Sequence, residues 1–198
     1  MTILLYENPI SGNCYKVRLL FSLLGIEYER REVSVVDRSN REDLLGDLNP
    51  GLRVPTVVLD DGRPLGESNA ILTYFAEGTE YLPTKRYPHA QVLQWLFFEQ
   101  YSHEPNIAVP RFWARAGIEA DERDIAARRR DGYRALGAME RHLTDREFLV
   151  TDTVTIADLA LYAYTHVAAE GGFELDRFAA IDAWLERIRD LPGYVPIE

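Results

Sequence analysis

The hydrophobic periodicity of this 198-residue chain changes once, between residues 79 and 87. That change limits what the chain can fold into. Before it, short strand-like and helix-like segments alternate; after it, only the helical period remains. Residues 1–78 therefore read as a first domain of mixed α/β type, residues 79–87 with Pro83 as a linker, and residues 88–198 as an all-α second domain. The length accommodates two small domains.

In the first domain, Ile3 to Tyr6 is a short apolar strand ended by Asn8-Pro9. Val17, Leu19, Leu20, Leu23 and Leu24 recur at helical spacing, and Gly25 fits the position just past that helix. A strand over 28–35 and a short helix over 41–48 follow. Val57-Val58-Leu59, Asp60-Asp61-Gly62 and Arg63-Pro64-Leu65 read as a hairpin, because Asp-Gly supplies the turn. Ser68 to Ala76 is a further helix closed by Gly78. The order βαβ-α-ββα implies a mixed sheet flanked by helices. In the second domain, helices are expected over 89–116, 121–143, 156–169 and 178–190.

Composition excludes several functions. With 46% hydrophobic and 27% charged residues the chain has the balance of an ordinary folded protein. A net charge of −10 argues against nucleic acid as a partner, since phosphate neutralisation needs an excess of Lys and Arg. The run Arg128-Arg129-Arg130, among Asp121, Glu122, Asp124 and Asp131, reads as a solvated helix face. The opening MTILLYENP has neither the basic start nor the apolar core of a signal peptide, and no run is long enough to span a bilayer. A cytoplasmic protein with no membrane partner is expected. The single Cys14 rules out an intrachain disulfide and any zinc site built on cysteine pairs, and no metal is expected.

The chemistry concentrates where strands run into helices. Ser11 lies in the turn between the first strand and first helix, where N–H groups and the helix dipole favour an anion. Cys14 comes three residues later, at the spacing of a C-x-x-C motif whose first thiol has become a hydroxyl. A self-contained dithiol cycle is thus impossible, and any thiol chemistry must come from a ligand. Ser11 is otherwise a plain N-cap and Cys14 a buried packing residue. Val54-Pro55 is either an edge-tolerant strand start or a cis bond that leaves the Val54 N–H and C=O to pair with an extended peptide. Ser68 is an N-cap whose helix start can hold a carboxylate, with Glu67 beside it for an ammonium group. Thr155 and Asp158 form a capping box stapled by Val154 and Leu159, a structural feature.

Together SGNCYKVR, the Val54-Pro55 pair, ESNAIL and TIADL resemble, in this order, the cytosolic glutathione transferase family over essentially the whole chain. The resemblance is to its serine-type, theta- and delta-like, bacterial-style members. It implies a thioredoxin-like first domain and an all-helical second one. It implies a cis Val54-Pro55 bond, pairing of Val54 with the cysteinyl unit of glutathione, and capture of the γ-glutamyl ammonium and carboxylate by Glu67 and Ser68. Asn13 joins the glutathione site, and Arg53, where many relatives have lysine, reaches the glycyl carboxylate. Ser11 matches the serine that hydrogen-bonds the glutathione sulfur; Tyr6 is the fallback of a tyrosine-type class. A beta-type class calls for cysteine near Ser11, and Asn13 departs from the zeta-class cluster. The implied partners are glutathione as co-substrate, a small electrophile and a second copy of the chain, with no prosthetic group. Tyr101, Phe112 and Trp113, on the expected 89–116 helix, are candidates to line the electrophile site, with His103, Glu104 and Arg111 nearby. A glutathione-dependent disulfide reductase or peroxidase, and a non-catalytic interaction module, are the alternatives.

Overall fold

The computed structural model describes residues 2–198. They form two units: residues up to Glu77 together with Pro192–Glu198, and Gly78–Leu191.

The first unit is built on a four-stranded sheet of order β2-β1-β3-β4, with β1 Ile3–Glu7, β2 Tyr28–Glu32, β3 Thr56–Val58 and β4 Pro64–Gly66. Strands β1 and β2 run parallel, joined by helix α1 Gly12–Leu24; β3 is antiparallel to β1, with Leu5 opposite Val57, and β4 is antiparallel to β3. Such a parallel pair needs a crossover, and α1 supplies it. Helices α2 Arg41–Leu45 and α3 Ser68–Ala76 complete the unit. This is the thioredoxin-like arrangement. Leu5, Val17, Phe21, Val57, Leu59 and Ile71 make its core. Phe21 meets Tyr28 and Phe75 edge-to-face at 5.1 and 4.7 Å, geometries that aromatic rings favour. α1 stops at Gly25, whose φ of 65° lets its N–H turn back to Phe21 and Ser22.

Residues 192–198, which the sequence pattern left with the helical half, belong to this first unit. Ser22 Oγ donates to the Gly193 carbonyl at 2.7 Å, Tyr15 Oη to the Val195 carbonyl at 2.7 Å, and Arg30 pairs with Glu198.

The second unit is all helical: α4 Arg86–Phe98, α5 Glu104–Ala116, α6 Glu122–Leu143, α7 Ile156–Thr165 and α8 Ala179–Arg189, with a 3-10 turn at Ala168–Gly171. All ten residues of α7 are buried, as its apolar circumference requires. The expected 89–116 helix is two helices separated by a π-turn, Glu99–His103, in which Glu104 N–H reaches the Glu99 carbonyl. Pro105 is the cause: it has no N–H for the Tyr101 carbonyl, and its ring crowds that oxygen. Among the described residues no helix is long and apolar enough to cross a membrane.

The capping box is present, and Asp158 extends it. Its Oδ2 accepts from Thr155 N at 2.8 Å and Thr155 Oγ1 at 3.0 Å, its Oδ1 from Leu149 N at 2.9 Å and Trp184 Nε1 at 3.0 Å. Two of the three consecutive arginines also hold the unit together. Arg128 donates to the Pro105 carbonyl at 2.8 Å and Arg129 to the Gly171 carbonyl at 3.1 Å, so the run is more than a solvated face.

Candidate glutathione site

The turn between β1 and α1 is pinned from several sides. Ser11 N–H reaches the Asn8 carbonyl at 3.1 Å, and Asn8 Nδ2 donates to the Val33 carbonyl at 3.0 Å. Behind it Glu7, 1% exposed, pairs with Arg18, 4% exposed, and Arg18 Nη2 donates to the Pro9 carbonyl at 2.9 Å. Burying an ion pair stabilises only when its remaining donors are used, and here one fixes the loop that carries Ser11.

Ser11 is the N-cap of α1, with Oγ accepting from Cys14 N–H at 3.3 Å. A hydroxyl has one proton and two lone pairs, so capping leaves Ser11 a proton to donate. The bland and the chemical readings of this residue are compatible. No acidic side chain occupies the first turn of α1 to oppose an anion there. Cys14 is fully buried and accepts from Asn8 N–H through Sγ at 3.4 Å. Burial pushes its thiol up to about 12, outweighing the lowering by hydrogen bonds with Ser11 and Asn8. It is a neutral packing residue.

Asn13 and Ser68 come together from α1 and α3: Ser68 Oγ donates to Asn13 Oδ1 at 3.4 Å. Ser68 is not the cap of α3. Glu67 holds that position with φ 65°, ψ 112°, a left-handed conformation unusual for a side-chain-bearing residue. Ser68 is therefore the first helical residue, and its hydroxyl turns toward α1 instead of capping. Lys16 Nζ donates to the same hydroxyl at 3.3 Å from a side chain with no exposed surface. Sequence reasoning missed Lys16. The Glu67 carboxylate is exposed, with no hydrogen-bond or ion-pair partner among the described residues.

The Val54-Pro55 bond is cis. Among the described residues nothing hydrogen-bonds to the Val54 N–H or C=O, and the exposed Arg53 side chain is likewise unpartnered. The loop is shaped by Asn49, a second residue sequence reasoning missed. Its Nδ2 donates to the Arg53 carbonyl at 3.1 Å and to Thr56 Oγ1 at 2.9 Å, and its Oδ1 accepts from Gly51 N–H at 2.9 Å. Asn49 passes so close to Gly66 that a Cβ there would meet Nδ2 at 2.8 Å. Tyr6 lies within β1, half-buried, between Leu5 and Glu7.

In the second unit Tyr101 is 87% exposed on the π-turn, while Phe112 and Trp113 are half-buried on α5. A groove of about 510 Å³ beside Tyr101 is lined by Phe98, Ser102, Pro105 and Arg128 among others, and by neither Phe112 nor Trp113. In one unbroken helix Tyr101 and Phe112 would share a face; the extra residue of a π-turn rotates the downstream helix by roughly 100°. His103 and Arg111 are buried in structural bonds. Thr165 Oγ1 gives its proton to the Leu161 carbonyl at 2.7 Å and so accepts from His103 Nε2–H at 2.8 Å, while Arg111 Nε donates to Glu170 at 2.9 Å. Among the described residues no cluster of His, Cys, Asp and Glu is placed to hold a metal.

Two family models cover most of the chain: the glutathione S-transferase N-terminal domain over residues 10–77 and the glutathione S-transferase C-terminal domain over residues 88–192. Glutathione S-transferase 1 of Schizosaccharomyces pombe is 32% identical over 189 residues, 87% of this chain and 80% of that one. A glutathione S-transferase structure from Pseudomonas fluorescens Pf-5 superposes with a TM-score of 0.94 at 44% identity, covering 100% of this chain and 99% of that one. Another from Xanthobacter autotrophicus Py2 gives 0.93 at 46% identity, covering 99% and 97%. A thioredoxin-like unit with a hydroxyl capping α1 and a cis-proline loop, an all-helical second unit and these matches lead to one assignment: the chain belongs to the glutathione S-transferase family.

Proposed function

We propose that the chain binds glutathione along its first unit and keeps the thiol ionised with the Ser11 hydroxyl for attack on a small hydrophobic electrophile. The observation that carries this reading is the valence of Ser11. Its oxygen accepts from Cys14 N–H, and its proton can turn to an ionised glutathione sulfur, a far better acceptor than the neighbouring Cys14 thiol, which burial raises to about 12 and keeps neutral. The glutathione thiol gives its proton to solvent, the thiolate attacks the electrophilic carbon, a C–S bond forms and the leaving group departs with its electron pair. Ser11 keeps its own proton throughout.

In this reading Val54 pairs through its unoccupied backbone groups with the cysteinyl unit, and Glu67 receives the γ-glutamyl ammonium. Ser68, with Asn13 beside it and the start of α3, receives the carboxylate, and Arg53 reaches the glycyl end. Phe112 and Trp113 are the apolar candidates on the electrophile side. Large exposed aromatics, Tyr74 in the first unit and Phe97 and Tyr101 in the second, support pairing of two copies in a cytoplasmic homodimer.

Retention on immobilised glutathione with elution by free glutathione, then turnover of a chlorinated nitroaromatic, tests the proposal. Failure to bind the column excludes it. Turnover of a mixed disulfide but not of the nitroaromatic moves the activity to disulfide reduction.

A further inference from the structure

The loop that carries Val54 is closed on itself by one half-buried amide, that of Asn49. The Asn49 backbone is held first, its N–H donating to the Leu45 carbonyl at 2.8 Å and its C=O accepting from Leu52 N–H at 2.8 Å. The side chain then has one possible orientation. A backbone N–H only donates and a carbonyl only accepts, so Oδ1 must face Gly51 N–H, at 2.9 Å, and Nδ2 the Arg53 carbonyl, at 3.1 Å. The second Nδ2 proton goes to Thr56 Oγ1 at 2.9 Å. That fully buried hydroxyl gives its own proton to the same Arg53 carbonyl at 2.8 Å. The Arg53 oxygen therefore accepts twice, once for each lone pair.

Those two bonds decide where a neighbouring donor points. In a trans peptide the C=O and the following N–H point in opposite directions across one rigid plane, and Arg53–Val54 is such a peptide. Drawing its carbonyl toward Asn49 and Thr56 aims the Val54 N–H the other way, where nothing among the described residues accepts it. Arg41 Nη1 donates to the preceding Leu52 carbonyl at 3.1 Å, so the adjoining peptide plane is held as well.

We infer that Asn49, with Thr56 as its second arm, is a positioning residue for glutathione: the pair sets the Arg53–Val54 peptide so that the Val54 N–H faces the cysteinyl carbonyl before the ligand arrives. This rests on the pairing of Val54 with the cysteinyl unit under Proposed function. A donor needs an acceptor, so in that pairing the Val54 N–H meets the cysteinyl C=O. Neither side chain touches the ligand. Both act through the backbone, and a donor fixed in advance reduces the ordering that binding requires.

The test compares glutathione with its alkene isostere by calorimetry on the full chain. In the isostere a C=C bond replaces the cysteinyl–glycyl amide, which removes the cysteinyl carbonyl and the glycyl N–H but keeps both carboxylates. Asn49→Asp is isosteric and still accepts from Gly51 N–H, but it offers the Arg53 carbonyl no donor and draws the Thr56 proton to its own carboxylate. It weakens glutathione binding about three- to tenfold, the scale of one neutral hydrogen bond, and leaves the isostere within about twofold. Thr56→Val removes one of the two bonds to the Arg53 carbonyl and gives a smaller loss, again for glutathione alone. Equal losses for both ligands mean that these residues only maintain the fold, and no loss for either means that the peptide plane needs no support; both results overturn the inference. Should Asn49→Asp fail to fold, Thr56→Val decides by the same comparison. Amide exchange in the unaltered protein separates the two levels of argument. Glutathione slows exchange of the Val54 N–H and the isostere does not; if both slow it, or neither, the cysteinyl pairing is misassigned. If glutathione alone slows it and the variants do not discriminate the ligands, only the role of Asn49 and Thr56 falls.

Discussion

Replacing Ser11 by glycine separates the two functions of its hydroxyl. Glycine is itself a good N-cap, so the lost acceptor for Cys14 N–H costs α1 only about a few tenths of a kcal/mol, and the fold survives. The lost donor is another matter. A free thiol has a pKa of about 8.5, and lowering it by about two units takes about 2.7 kcal/mol. A hydrogen bond to a charged sulfur contributes roughly 1.5–3 kcal/mol and the α1 N-terminus roughly 0.3–1 kcal/mol. Without the hydroxyl only the helix remains, and bound glutathione returns to a pKa of about 8. At pH 6.5 its thiolate fraction then drops from about half to about 3%, a roughly fifteenfold loss. The sign is definite: the hydroxyl lowers the pKa, so the defect is largest at acid pH and closes as pH approaches about 9, where both forms are ionised. Thiolate absorbance of the glutathione complex, titrated from acid to alkaline pH in both proteins, measures this directly. An unchanged bound-thiol pKa in Ser11→Gly refutes the reasoning and moves the role to Tyr6.

The geometry carries three further outcomes. Cys14, buried and raised to about 12, resists maleimide in the native protein and reacts once denaturant is added; Cys14→Ala keeps its turnover, and labelling at the native rate of a free thiol contradicts this. His166, lowered to about 4 by burial, binds a proton in the unfolded chain before the folded one. Its contribution, on the order of 3 kcal/mol, is therefore present above about pH 6.5 and lost as pH falls toward 4, and His166→Gln flattens that part of a melting-temperature profile. Asp158→Asn points an amide N–H₂ at donors the carboxylate now satisfies, costing about 3 kcal/mol or more in denaturant titration and altering Trp184 fluorescence.

Much of the first unit was legible because its signals are local. Gly25 ends α1 in the left-handed conformation, Asp60-Asp61-Gly62 turns the hairpin, and Ser11 caps α1 as its type and place suggest. What escaped depended on partners distant in sequence. Nothing around Lys16 in the sequence distinguishes a buried lysine from one on a helix surface; α3 brings Ser68 to it from fifty-two positions away. Asn49 carries no local signal of its role, and its work is done by a side chain reaching Arg53, Thr56 and the flank of Gly66. Ser68 was misplaced by one residue because Glu67 adopts a backbone conformation that its side chain gives no reason to expect. The break at Glu99–His103 did leave a trace, Pro105, but a proline near a helix start and one that forces a π-turn are written with the same letter.

The return of Pro192–Glu198 to the first unit makes that unit discontinuous along the chain. A fragment cut at Glu77 keeps the sheet, α1 and α3 but strips Ser22, Tyr15 and Arg30 of the carbonyls and carboxylate they grip. Tyr15 follows Cys14 on α1, so the loss falls on the same helix that Ser11 caps. Grafting this module onto another scaffold accordingly requires two junctions, with the terminal peptide carried along as a separate clasp.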